Sequence, residues 1–109
     1  MFHETEYGGV ESLPIVVHVV ATTPEGDIRQ TYKTIWDHFD AHQIRHPRGR
    51  RSHLAYLVGD TLHTADVWES REDLDAYLEK FGPIADQLGV ELAGPPEVGE
   101  LLDVVVPPP

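Results

Sequence analysis

The chain contains no cysteine, so its 109 residues are held by burial alone, without a disulfide framework. The same absence excludes thiolate metal ligands and a cysteine nucleophile. Basic residues are scarce: eight Lys and Arg against nineteen Asp and Glu leave a formal charge of −11. That balance is the reverse of the basic footprint required for nucleic-acid binding, and it disfavours an anionic membrane surface. Long apolar runs are missing too, none being long enough to span a bilayer. The opening MFHETEYGGVES has no basic region followed by an apolar stretch. No secretory signal is therefore expected, and the expected location is cytoplasmic. The little positive charge present is concentrated in Arg45, Arg48, Arg50 and Arg51. A solvated basic loop explains that group without a ligand; a local anion site is the sharper alternative.

The length suits one domain with one core. Residues 1–12 are polar and glycine-containing and read as a flexible arm, residues 13–106 as the domain, and residues 107–109 as a stiff proline tail. Pro14 to Ala21 is β-branched and apolar at both parities, the pattern of a strand buried on both faces. From Gly26 to about Gln43, Ile28, Tyr32, Ile35 and Phe39 form a helical stripe flanked by Trp36 and His42. Pro47 and Gly49 end it, and two strands are predicted at 52–58 and 61–68 around a Gly59-Asp60 turn. Ser70 is an N-cap with Asp73 three residues on, opening a helix through Leu74, Tyr77, Leu78 and Phe81. Gly82-Pro83 is expected to interrupt that helix, with Pro83 starting a short one that ends at Gly89. Val98 to Val106 is the fourth strand candidate.

The order is βαββαβ, an α+β ferredoxin-like arrangement with a four-stranded antiparallel sheet. Right-handed crossovers place both helices on one face of the sheet. The other face is then uncovered and partly apolar, which predicts a homodimer packed sheet to sheet.

Three residues are candidates for acid–base chemistry. His18 interrupts an apolar strand, where it is either a hydrogen-bonded structural histidine or a base inside a cavity. Asp66 shares one face of its strand with Thr64 and Trp68, while His63, Ala65 and Val67 share the other. His53 meets Asp66 if the two strands pair across a tight turn, and the carboxylate would then fix the imidazole tautomer. Trp68 is either a pocket wall or a core tryptophan, and Tyr32, Trp36 and Tyr77 are packing residues whose polar tips can reach the same space. His38, His42 and His46 recur at helical spacing, but a helix C-terminus favours such residues without any metal.

Pro47 with Gly49, the run Asp66-Val-Trp68-Glu69-Ser70 and the run Glu72-Asp73-Leu74 resemble the dimeric α/β-barrel superfamily, specifically its antibiotic-biosynthesis-monooxygenase-like branch. The resemblance implies a cavity between sheet and helices in each subunit, bordered by Trp68, and two sheets forming a barrel across the dimer. Some members of that branch oxidise phenolic polyketides with oxygen and neither metal nor flavin; others degrade haem or isomerise lactones. Tyr77 stands where many relatives have a histidine, and His18 where haem-degrading relatives have an asparagine, which counts against haem. The implied function is cofactor-independent proton abstraction from an aromatic or polyketide-like small molecule, leading to oxidation, isomerisation or cyclisation. A non-catalytic barrel that binds a small ligand or a partner enzyme is the alternative, and haem binding the third reading.

Overall fold

A computed structural model describes residues 13–105 and Pro108. The arm at 1–12, Val106, Pro107 and Pro109 lie outside the described residues. The β-branched run forms strand β1, Ile15–Thr22. Helix α1, Ile28–Ala41, starts at Asp27, whose carboxylate accepts the backbone N–H of Arg29 at 2.9 Å. Its end turns sharply through Gln43 at φ 60°, and Ile44 N–H returns to the Phe39 carbonyl at 2.8 Å. This hook buries Ile44 in the core. Strands β2, Arg50–Val58, and β3, Thr61–Trp68, form a hairpin around Gly59-Asp60.

Helix α2 spans Arg71–Gln87, with the Ser70 hydroxyl accepting from the Asp73 N–H. It continues unbroken through Gly82-Pro83, contrary to the interruption expected from sequence. A helical proline forfeits a hydrogen bond and costs about 3 kcal/mol. The apolar stripe of Leu74, Tyr77, Phe81, Ile84 and Leu88 continues across it, however, and packs into the core, so tertiary burial outweighs the local penalty.

The last strand is split into β4, Glu91–Leu92, and β5, Glu97–Glu100, both antiparallel to β1. Ala21 faces Leu92 whereas His18 faces Glu97, so three steps along β1 match five along the outer chain, which loops out at Pro95-Pro96. The predicted strand at 98–106 is thus corrected. Among the described residues pairing stops at Glu100, with one further bond from Leu101 N–H to the Pro14 carbonyl, because β1 itself ends there.

The result is an open, ferredoxin-like α+β fold: a five-stranded antiparallel sheet in the order β2-β3-β1, with β4 and β5 both on the far side of β1. One sheet face carries the helices. Val17, Trp68 and Leu74 join sheet to α2, while Ile35, Phe39, Ile44 and Ile84 join the helices to each other. Tyr77 packs against both groups. The opposite face is open, with Leu54, Tyr56 and Val58 exposed on it. No helix among the described residues is long and apolar enough to cross a membrane.

Candidate active site

The hairpin register decides which side chains meet. The two-residue turn pairs Val58 with Thr61, so His53 lies directly opposite Asp66, and Asp66 directly opposite Val17. This row, with Thr64 and Trp68 on the same parity, faces the helices. A cavity of about 200 Å³ lies between this face and the helices. Seven of the predicted residues line it: Tyr32, Trp36, His53, Thr64, Asp66, Trp68 and Tyr77. Its mouth lies beside β4, β5 and α2, where Leu92, Val98, Leu78 and Arg71 line it yet remain exposed.

At the inner wall three side chains form one chain of hydrogen bonds. His53 Nδ1 lies 2.6 Å from Asp66 Oδ1, and His53 Nε2 lies 2.8 Å from the Tyr32 hydroxyl. A carboxylate only accepts, so Nδ1 carries the imidazole proton and donates it. Nε2 is then the acceptor of the Tyr32 O–H. Trp36 meets the His53 ring edge-to-face at 5.5 Å and limits its rotation. Trp68, 1 % exposed, is the cavity floor and a core residue at once, so its two sequence readings coincide.

The other Asp66 oxygen faces a residue that sequence reasoning missed as part of the site. Arg50 Nη1 stands 3.7 Å from Asp66 Oδ2, with only 7 % of its side chain exposed. Its Nη2 donates to the Arg45 carbonyl at 2.8 Å, and its guanidinium lies over Trp36 and Tyr77. Strict alternation from His53 would turn Arg51 inward instead. A β-bulge between Arg50 and Ser52 adds one residue opposite Val67 and Trp68 and re-aims Arg50 at the helices. Arg50 belonged to a run of arginines that reads as a loop, and nothing in that run signals a bulge.

The turn before β2 is equally specific. Gly49 has φ +88°, and a Cβ there would collide with the Asp73 carboxyl group that sits on the α2 cap. Its carbonyl accepts Glu69 N–H at 2.8 Å, locking the start of β2 to the end of β3. Burial pushes the Tyr77 hydroxyl well above its ordinary range, with Arg50 offsetting part of that, so Tyr77 remains a protonated wall residue.

His18, expected as a possible base in this cavity, lies elsewhere. Val17 and Val19 take the cavity parity of β1, so His18 points to the open face. There its Nε2 lies 3.1 Å from His63 Nδ1. His42 is the α1 C-cap and His38 lies in its last turn, where the two rings stack. Among the described residues no three metal-ligating side chains converge.

No family model matches the chain, and no curated protein does so. Solved structures do match. The protein YjcS superposes with a TM-score of 0.63 at 12 % identity, over 82 % of this chain and 99 % of its own. A Nitrosomonas europaea protein of unknown function gives 0.59 at 16 % identity, over 91 % of this chain and 99 % of its own. A Shewanella loihica protein described as a "putative monooxygenase" gives 0.57 at 17 % identity, over 85 % of this chain and 98 % of its own. At these identities the likeness is one of fold.

Proposed function

We propose that this chain is a small-molecule enzyme of the antibiotic-biosynthesis-monooxygenase-like group, abstracting a proton from a small aromatic substrate without a cofactor. The observation that carries the reading is the hydrogen-bonded chain Asp66–His53–Tyr32 on the wall of a mostly apolar cavity. A phenolic or enolic substrate gives its proton to the Tyr32 oxygen as Tyr32 passes its own to His53 Nε2. Asp66 then holds the imidazolium, and Arg50 holds Asp66 in place. The substrate anion reacts with dioxygen or rearranges. The fold shared with the Shewanella loihica protein supports the group assignment.

Cavity size narrows the substrate. A dry cavity of about 150 Å³ suffices for benzene, so about 200 Å³ suits one substituted ring better than three fused rings. Trp68, Trp36 and Tyr77 supply its flat walls, and Thr64 a hydroxyl beside Asp66. Single-ring phenols and enolisable aryl ketones, assayed for oxygen uptake and product, test the reading against a three-ring anthrone. Turnover of the small substrates that vanishes in His53→Gln supports it; equal turnover in that variant refutes it. Binding that quenches tryptophan fluorescence with no turnover would instead favour a non-catalytic ligand-binding barrel. The capping of His53 Nε2 by Tyr32 is the feature that favours this second reading.

The working unit we propose is a homodimer joined through the open sheet face, where Leu54, Tyr56 and Val58 are 60 %, 45 % and 58 % exposed. Sedimentation of a folded monomer at micromolar concentration would refute it.

A further inference from the structure

One side chain of the cavity takes no part in the proposed reaction and contributes little to the fold where it stands. Arg71 lines the mouth and, among the described residues, is the only cavity-lining side chain with a fixed positive charge. It is also the first residue of α2, directly after the Ser70 cap. A helix start favours acidic residues, as Glu72 and Asp73 beside it illustrate, so a cation there opposes the helix dipole. Its one partner is Asp75, whose Oδ1 accepts from Arg71 Nε at 3.3 Å, with 52 % and 60 % of the two side chains exposed. An exposed i, i+4 pair is weak, and cation before acid is its poorer orientation. Among the described residues, neither Arg71 Nη atom holds a hydrogen-bond partner. Arg50, by contrast, is committed to Asp66 and the Arg45 carbonyl.

The rest of the cavity determines what that cation would meet. His53, Asp66, Val17 and Val98 form one row across β2, β3, β1 and β5. The row spans three strand spacings, roughly 14 Å. Its inner end holds the Asp66–His53–Tyr32 chain, and its outer end at Val98 opens onto the mouth that Arg71 lines. Asp66 repels an anionic group from the inner end and Arg71 attracts one to the mouth, while apolar walls between them bury a ring. A chain of net charge −11 repels anions as a whole, so a local cation is needed to admit one.

We propose that Arg71 is a specificity residue that takes the carboxylate of an aromatic acid, its two Nη–H groups holding the two oxygens. This rests on the small-molecule reading above and narrows it to a single ring with a carboxylate side chain at one end and a phenolic or enolic hydroxyl at the other. The carboxylate stays at the wet mouth, the ring lies against Trp36, Trp68 and Tyr77, and the hydroxyl reaches Tyr32. Asp75 keeps Arg71 Nε and holds the guanidinium at the rim.

The test compares para-hydroxyphenylacetate with its neutral amide, para-hydroxyphenylacetamide, each titrated into the full chain and read by calorimetry and tryptophan fluorescence. The acid is expected to bind about tenfold more tightly than the amide, the scale of one charge-assisted contact. Arg71→Gln should bring that ratio to about one. Arg48→Gln, which removes the same charge from a 96 % exposed side chain outside the cavity, should preserve it. High salt should shrink the ratio in the unmodified chain. Equal affinities for acid and amide overturn the inference, as does a preference that survives in Arg71→Gln or is lost in Arg48→Gln. Saturable binding of neither compound overturns it as well, and the phenols and aryl ketones assayed above then decide the small-molecule reading by themselves. Where Arg71→Gln fails to fold, the unmodified chain decides: a ratio of about one, or one that salt leaves unchanged, overturns the inference.

Discussion

One sheet presents two histidine–carboxylate pairs, one on each face, and the contrast shows how environment divides similar chemistry. On the helix face Asp66 and His53 meet at 2.6 Å with 13 % and 21 % of their side chains exposed. On the open face Glu97 and His18 stand 3.5 Å apart, and Glu97 is 86 % exposed. The first pair is enclosed by Trp36 and aligned by Arg50; in the single chain the second lies at a solvent surface. Inside, an oriented hydrogen bond acts in a low-dielectric setting, whereas outside water competes for every donor and acceptor. The helix-face pair is therefore suited to proton transfer, and the open-face pair is not.

The largest expected effect breaks the enclosed pair. Asp66→Asn should lower turnover by roughly 10²–10⁴, the range a positioned acid–base group contributes. Glu97→Gln should leave it within about twofold; steady-state kinetics on a single-ring phenol makes the comparison. Packing should show the same asymmetry. Trp68→Ala should destabilise the fold by about 3–5 kcal/mol in chemical denaturation. Leu54→Ala on the open face should change the stability of the isolated fold by about 0.5 kcal/mol or less. Gly49→Ala, strained at φ +88° and blocked by Asp73, should cost more than about 1 kcal/mol in the same measurement.

The smallest effect is confined to alkaline pH. Tyr77 has its hydroxyl pKa raised by burial, so the folded state keeps a proton that the unfolded chain releases above about pH 10. Its contribution to stability is whole below that pH and is lost as pH rises further. Tyr77→Phe should flatten the alkaline decline in melting temperature while leaving the neutral value nearly unchanged.

Much of the helix-face site was legible in the sequence, because it rests on counting. Alternation from Thr61 gives Thr64, Asp66 and Trp68 one face, and a two-residue turn at Gly59-Asp60 places His53 opposite Asp66. His18 could not be placed in this way: β1 is apolar at both parities, so its pattern does not say which face the helices cover. Arg50 was hidden by the bulge at Arg51, since one extra residue reverses the parity upstream of it. Pro83 misled because its local penalty was visible in the sequence and the burial that outweighs it was not. The split of the last strand into β4 and β5 depends on where β1 ends, which is a property of the partner strand.

The most direct test of the claim that the enclosed pair accepts the substrate proton sets His53→Gln beside His18→Gln, on one substrate and at one pH. A loss of roughly 10²-fold or more is expected in the first variant and less than about twofold change in the second. Equal losses in both, or a loss confined to His18→Gln, would contradict it.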